Sequence, residues 1–265
     1  MKTRILTAAF LIPLLIILLV SPNYVISAAV AVVSLIGLYE LFKTTGILNK
    51  KGLAAVGFLA GLVTSLAIYI PSSWYMPCFF VFLLLMFFIM LKNHTSVYVS
   101  DAALTLFGVA YIPLLLSTLT LTAHLENGRF ALYAIFIGAF ATDTFAYFTG
   151  VFLGKHKLCP EISPKKTIEG SIGGTLGCVL LLLLYGFLLN NYFSQSISYL
   201  KLGILGILIA IISQVGDLTA SIIKRKFGVK DYGKLFPGHG GILDRLDSII
   251  TTAPLVYCFV TMIGF

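Results

Sequence analysis

The sequence predicts an all-α fold: a polytopic bundle of about nine transmembrane helices, with the N-terminus cytoplasmic and the C-terminus outside. Three observations predict it. Hydrophobic residues fill 59% of the 265 positions and charged residues only 11%, a balance that water-soluble domains do not carry. The apolar residues gather in runs near the ~20 residues that a spanning helix needs. The basic residues alternate from loop to loop, as Lys and Arg retained in the cytoplasm do.

Nine segments meet the length and polarity expected of a span, at about 5–21, 24–42, 53–70, 75–91, 101–122, 130–152, 171–190, 199–220 and 248–265. The first follows Lys2 and Arg4. Those two could also be the basic region of a signal peptide cleaved near Ser27-Ala28-Ala29, but a second span follows at once, so an uncleaved helix is simpler. The second ends on Glu40 and Lys43, whose i, i+3 spacing reads as a local ion pair with no further role. The third starts after Lys50 and Lys51, and the fourth ends at Lys92. The fifth opens on Asp101, which suits the positive end of a helix dipole. The sixth carries Asp143, the seventh follows Lys165 and Lys166, the eighth ends at Lys224-Arg225-Lys226, and the ninth follows Asp247. Most are too long for strands and lack strict alternation, so helices are expected throughout. The chain reads as one integral membrane domain over 1–265, with spans of unassigned role in 1–130 and the chemistry in 131–265.

With the N-terminus inside, 16 of the 18 basic residues fall on the cytoplasmic side, and only Arg129 and Lys201 fall outside. That agreement also favours an odd number of spans. The formal charge of +8 fits either anionic partners or cytoplasmic loops alone. No nucleic-acid partner is expected. Cys78, Cys159, Cys178 and Cys258 share no CxxC spacing, which argues against zinc or a disulfide framework.

The polar residues are few, and their placement is informative. Asp143 lies inside the sixth span on a face shared with Ala139, Ala146, Tyr147 and Gly150. Intramembrane carboxylates face a cavity or a partner because lipid cannot solvate them; the plainer reading is a helix-packing stripe. Asp217 shares a face with Gln214 and Ser221 near the end of the eighth span, and could instead be half of a buried ion pair. Asp244 and Asp247 are three apart, on one face of a helix start. Two such carboxylates suit Mg2+, which takes one or two carboxylates plus phosphate oxygens and water. They also suit a helix dipole with no metal at all. Asp217 ends one helix and Asp244 starts the next, so both belong at one membrane depth, where a shared metal site is easy.

Two loops complete the pattern. Pro237-Gly238-His239-Gly240-Gly241 precedes a helix whose first N–H groups, with glycine backbone, can receive an anion. By itself it signals only a turn. His239 could donate to a phosphate or be structural. The other loop holds Lys165, Lys166, Thr167, Ser171, Gly173 and Gly174 at a helix start, a plausible triphosphate cradle although the GxxxxGK[ST] spacing is absent. A positively charged cytoplasmic loop with a capping Ser accounts for it equally.

Ser221, Ile223, Lys224, Arg225, Lys230, Asp231, Gly233, Pro237, His239, Gly240, Gly241, Asp244, Arg245 and Asp247 stand in a pattern that resembles the signature of the CDP-diacylglycerol synthase (phosphatidate cytidylyltransferase) family. Residues 143–150 and 163–174 also resemble shared regions of that family. The likeness covers about 140–250, and the first five spans match it only in being hydrophobic. It implies transfer of CMP from CTP to phosphatidic acid, giving CDP-diacylglycerol and pyrophosphate; the polar helix ends put that site at the cytoplasmic face, and a bacterial inner membrane is the default setting for so short a chain. On the resemblance, Asp217, Asp244 and Asp247 would hold Mg2+, with Asp143 as a further ligand or nucleotide contact. Lys165, Lys166, Ser171, Gly173 and Gly174 would hold the triphosphate. Lys224, Arg225 and Lys230 would hold phosphatidate or pyrophosphate, with His239, Gly240 and Gly241 lining the same pocket. A second, monovalent cation such as K+ and a homodimer stay open.

Two other classes remain. A CTP-using lipid-alcohol kinase would release CDP rather than pyrophosphate. A transporter would place its polar residues near the bilayer midplane, whereas here they gather at helix ends.

Overall fold

The computed structural model describes residues 2–236, 238 and 240–264; among them the side chains of 2–8 and 10 are left aside. His239 therefore lies outside the described residues, and so does Pro237 beside it. Helices account for about three-quarters of the described residues: α1 (Lys2–Val20), α2 (Asn23–Thr45), α3 (Lys51–Ser65), α4 (Tyr75–Lys92), α5 (Val99–Val109), α6 (Leu115–Ala123), α7 (Gly128–Phe152), α8 (Ile168–Tyr192), α9 (Tyr199–Lys226) and α10 (Leu243–Ile263). A π-helical turn, Ala110–Leu114, joins α5 to α6 so that Val99–Ala123 forms one continuous rod. Pro113 sits inside that turn; its missing N–H and its ring disturb the ordinary i→i−4 ladder there.

Among the described residues seven helices are long and apolar enough to cross a membrane, which makes this a multi-pass membrane protein of the all-α class. The other two expected spans are shorter apolar helices. The third, expected over 53–70, ends at Ser65 because two 3-10 turns, Ala67–Tyr69 and Ser72–Trp74, flank Pro71. The ninth begins earlier than expected, at Leu243, and so takes Asp244 and Asp247 inside the helix. The eighth runs on to Lys226, where Lys224, Arg225 and Lys226 meet the negative end of the helix dipole. Asp101 behaves as expected: its Oδ2 accepts from Tyr98 N at 2.9 Å, one half of a capping box.

The loop before α8 is an unexpected hairpin. β1 (Lys157–Cys159) pairs antiparallel with β2 (Ser163–Thr167). Glu169 closes it, accepting from Lys155 N, His156 N and His156 Nδ1, the last at 2.7 Å.

The chain divides into two compact units. One comprises residues 1–124 and 227–245, the other 125–226 and 246–265. In the first, Leu38, Phe42, Ile47, Leu53, Phe82 and Met86 form the buried core, and Asn23 Nδ2 donates to Ala123 O at 3.0 Å to tie α2 to α6. The signature stretch 227–245 groups with this N-terminal unit, not with the C-terminal spans as the sequence suggested.

In the second unit α7, α8 and α9 pack by close backbone approach. A Cβ on Gly170 would stand 2.8 Å from Ala146 O, one on Gly174 2.8 Å from Thr142 O, and one on Gly206 3.0 Å from Val179 Cα. Gly173 and Gly177 leave no space beside Thr149 and Phe145. Small residues matter here because lipid offers no hydrophobic drive for association, so dispersion at short range must supply it. Gly174→Val should therefore lower stability by about 1–3 kcal/mol through overpacking. Thermal unfolding of the detergent-solubilised chain checks this, and an unchanged midpoint would contradict the packing described.

Candidate active site

Within the second unit, four elements deliver polar side chains to one neighbourhood. β2 carries Lys166, whose Nζ lies 2.6 Å from Asp217 Oδ2 on α9. The two side chains are 25% and 28% exposed, so the pair is partly screened. On α10, Asp247 has Asp217, Lys224 and Asp143 as electrostatic neighbours. Asp143, on α7, accepts from Ser248 Oγ at 3.3 Å through Oδ2. Lys224 is 8% exposed despite its charge. Asp143, Lys166, Asp217, Lys224 and Asp247 thus form one mixed-charge cluster.

Local sequence explains how these groups meet. A Cβ on Gly216 would stand 2.7 Å from Asp247 O and would overlap Thr251 Oγ1. That glycine lets α10 lie against α9 at the residue beside Asp217. Thr167 caps α8, accepting from Gly170 N at 3.1 Å, and so fixes the end of the strand that holds Lys166. Lys165, one residue earlier, is exposed, and alternation along a strand sends it to the opposite face. The paired-lysine cradle expected from sequence is thereby divided, and Lys166 alone faces the carboxylates. Ser171 is half-buried and its carbonyl accepts from Gln214 Nε2 at 3.5 Å. Gly173 and Gly174 lie in close contact with Thr149, Thr142 and Ala146 of α7.

The first unit holds the rest of the signature. Lys230 is exposed, and Arg225, on α9 of the second unit, is too. Asp244 is 6% exposed, and its Oδ2 accepts from Tyr232 N at 2.8 Å and Gly241 N at 3.0 Å. Gly240 has φ +83°, a conformation that disfavours any side chain, and a Cβ there would stand 2.7 Å from Asp244 Oδ2. Glu40, read from sequence as a local partner of Lys43, is 5% exposed and accepts from Ile242 N at 3.1 Å and Leu243 N at 2.9 Å. The N–H groups of Gly241, Ile242 and Leu243, expected to be open to an anion, already donate to the protein's own carboxylates. Sequence could flag Glu40 only as a carboxylate within an apolar span; its partners are more than 200 positions away.

Mg2+ fits the carboxylate oxygens of the second unit, which are the hard donors it prefers. Among the described residues, no three Asp, Glu, His or Cys side chains lie close enough to hold an ion by themselves. Coordination there would have to be completed by phosphate oxygens and water, Mg2+'s usual habit.

These features define a class: a polytopic helical membrane protein with a lysine–carboxylate cluster suited to anionic phosphate substrates. Residues 2–263 match the cytidylyltransferase family. A Staphylococcus aureus protein called phosphatidate cytidylyltransferase is 37% identical over 97% of this chain and 97% of its own length. One of the same name from Synechocystis is 36% identical over 98% and 96%, and one from Rickettsia felis 36% identical over 75% and 88%. The chain belongs to the cytidylyltransferase family.

If Lys166 and Asp217 are coupled as their distance shows, Lys166→Met and Asp217→Asn should be non-additive in a thermal-stability double-mutant cycle. The coupling should be about 0.5–1 kcal/mol, the range for a partly exposed pair, and additive effects would place the two groups apart.

Proposed function

We propose that this chain is a phosphatidate cytidylyltransferase, transferring CMP from CTP to phosphatidic acid. An oxygen of the phosphatidate phosphate attacks the α-phosphorus of CTP, a P–O bond forms to that phosphorus, and pyrophosphate leaves with the electrons of the broken bond. No covalent intermediate on the protein is required. The observation that carries this reading is the contact of Lys166 with Asp217 beside Asp247 and Asp143, in a chain whose relatives bear this name.

Both reactants are anions, so their approach must be screened and the charge growing on pyrophosphate stabilised. Lys166 is assigned to the triphosphate; the same role for Lys165, Ser171, Gly173 and Gly174 rests on the sequence pattern alone. Lys224, Arg225 and Lys230 are assigned to the phosphatidate phosphate or to pyrophosphate. Asp217 and Asp247 are assigned to Mg2+, with Asp143 as a further ligand or nucleotide contact; the metal role of Asp244 rests on the sequence pattern alone. Bound Mg2+ would supply Lewis-acid screening of the phosphate oxygens. A lysine paired with a metal-binding aspartate suits a metal–nucleotide substrate, because the cation and anion arrive together and each replaces one partner of the pair. His239 keeps only its sequence-based assignment beside the phosphates. A monovalent cation and a homodimer are compatible additions.

The orientation follows the basic residues. With nine segments in the membrane and the N-terminus inside, the Lys166, Lys224 and Lys230 regions face the cytoplasm, from which CTP arrives, while the lipid comes through the bilayer. Bacterial relatives make an inner membrane the natural setting.

The test is a product assay on the purified chain with dioleoyl phosphatidate and CTP labelled at the α-phosphorus. Mg2+-dependent label in the lipid phase with pyrophosphate released is expected. Labelled CDP left in water beside a phosphorylated lipid would establish a kinase instead. In the same assay Asp217→Asn and Asp247→Asn should each lower turnover at least about 100-fold. Lys166→Ala should raise the KM for CTP, and an unaltered KM would remove Lys166 from the triphosphate.

A further inference from the structure

Glu40 is a buried carboxylate that none of the assigned roles uses. Its oxygens are both committed: Oε1 accepts from Ile242 N and Oε2 from Leu243 N. These donors open α10, where a helix has no partners of its own for its first N–H groups. A side chain from α2 therefore caps a helix about 200 residues further along the chain. The loop is shaped around it. A Cβ on either Gly233 or Gly241 would overlap the Glu40 carboxylate. Asp244 gathers Tyr232 N and Gly241 N from the other end of the same loop, and Phe236 N closes it on Gly240 O at 2.9 Å. The amides of Tyr232, Gly241, Ile242 and Leu243 thus converge on two acceptor-only groups.

We infer that Glu40 is a positioning residue for the signature loop, fixing the segment that follows Lys230 and the first turn of α10, the helix that carries Asp244 and Asp247. Charge-assisted hydrogen bonds from two successive backbone amides fix both the direction and the register of that turn. A glutamine would turn an NH2 group toward one of the donors, and an alanine would leave both unpaired. Glu40 is no general base or metal ligand on this geometry: N–H donors and the backbone of Gly233 and Gly241 surround its oxygens. The kinetic part of the inference rests on the proposed CMP transfer; the structural part does not.

The experiment compares the full-length chain with Glu40→Gln and Glu40→Asp in mixed detergent–phospholipid micelles. Two readouts are taken: trypsin cleavage after Lys230 and Lys234 relative to cleavage after Lys155 and Lys157, and kcat and KM for CMP transfer. Glu40→Gln should speed cleavage after Lys230 and Lys234 on the order of tenfold, while leaving the hairpin sites at their original rate. It should lower kcat on the order of 100-fold, the scale of a misplaced reacting group, and leave the KM for CTP within about twofold. Glu40→Asp, which keeps the charge on a shorter arm, should recover part of both effects. Loop cleavage and kcat at wild-type values would overturn the inference. So would uniform acceleration at all four lysines, which marks general destabilisation. If Glu40→Gln leaves no folded fraction, Gly233→Ala, which crowds the carboxylate without removing it, must give the same selective loop cleavage, and a wild-type pattern there overturns the inference as well. If the unmodified chain transfers no CMP, the functional reading fails while the cleavage pattern still decides the role of Glu40.

Discussion

An ionised carboxylate within an apolar bundle must be met by donors or cations, because lipid and aliphatic side chains cannot replace its hydration. That demand organises both units of this chain. In the first, Glu40 and Asp244 are met by the backbone N–H groups of Tyr232, Gly241, Ile242 and Leu243. In the second, Asp217 is met by Lys166, Asp247 has Lys224 among its neighbours, and Asp143 has the hydroxyl of Ser248. The two solutions differ in what they leave open. A carboxylate whose two oxygens both accept from backbone, as those of Glu40 do, is committed to structure. One satisfied by a mobile lysine can exchange that partner for a ligand of the same sign.

Glycine makes both arrangements physically possible, though for reasons that differ by position. Gly233 and Gly241 are small because the Glu40 carboxylate lies against them. Gly216 is small because α10 crosses α9 there, which brings Asp247 to Asp217. Gly170 and Gly174 are small because α7 and α8 approach to backbone contact. A glycine-rich sequence beside lysines reads as an anion cradle, and in this chain close packing is a second reason for glycine at Gly173, Gly174 and Gly241.

The membrane class was legible from composition, since burying so apolar a chain in water has no solution. The nine apolar segments all mark helices, because hydrophobic length is a local property that sequence displays directly. Where α3 stops short, the cause is a turn sequence around Pro71 that a hydropathy run passes over. The site was legible as a set of residue types: Asp143, Asp217, Asp247, Lys166 and Lys224 all entered as candidates. Its partition was not. That Lys166 points at Asp217 while Lys165 turns away depends on β2 being a strand, and a five-residue strand in a basic loop has no hydrophobic alternation to betray it. Glu40 escaped because its partners are distant backbone amides, which carry no residue identity for sequence to read.

The division between committed and exchangeable carboxylates also bears on why such chemistry sits at helix ends. Deep in a span a lysine–aspartate pair would be locked by the cost of separating it in a low dielectric. Lys166 and Asp217 are each about one-quarter exposed, where solvent screens the pair and its separation costs little. Lys166 rides on a short hairpin held at its mouth by Glu169, and a lysine's four-carbon stem is intrinsically flexible. Asp217 and Asp247 are on long helices and cannot follow it. On the proposed reaction, a ligand that draws Lys166 away would leave the Asp217 and Asp247 carboxylates to a divalent cation carried by the nucleotide.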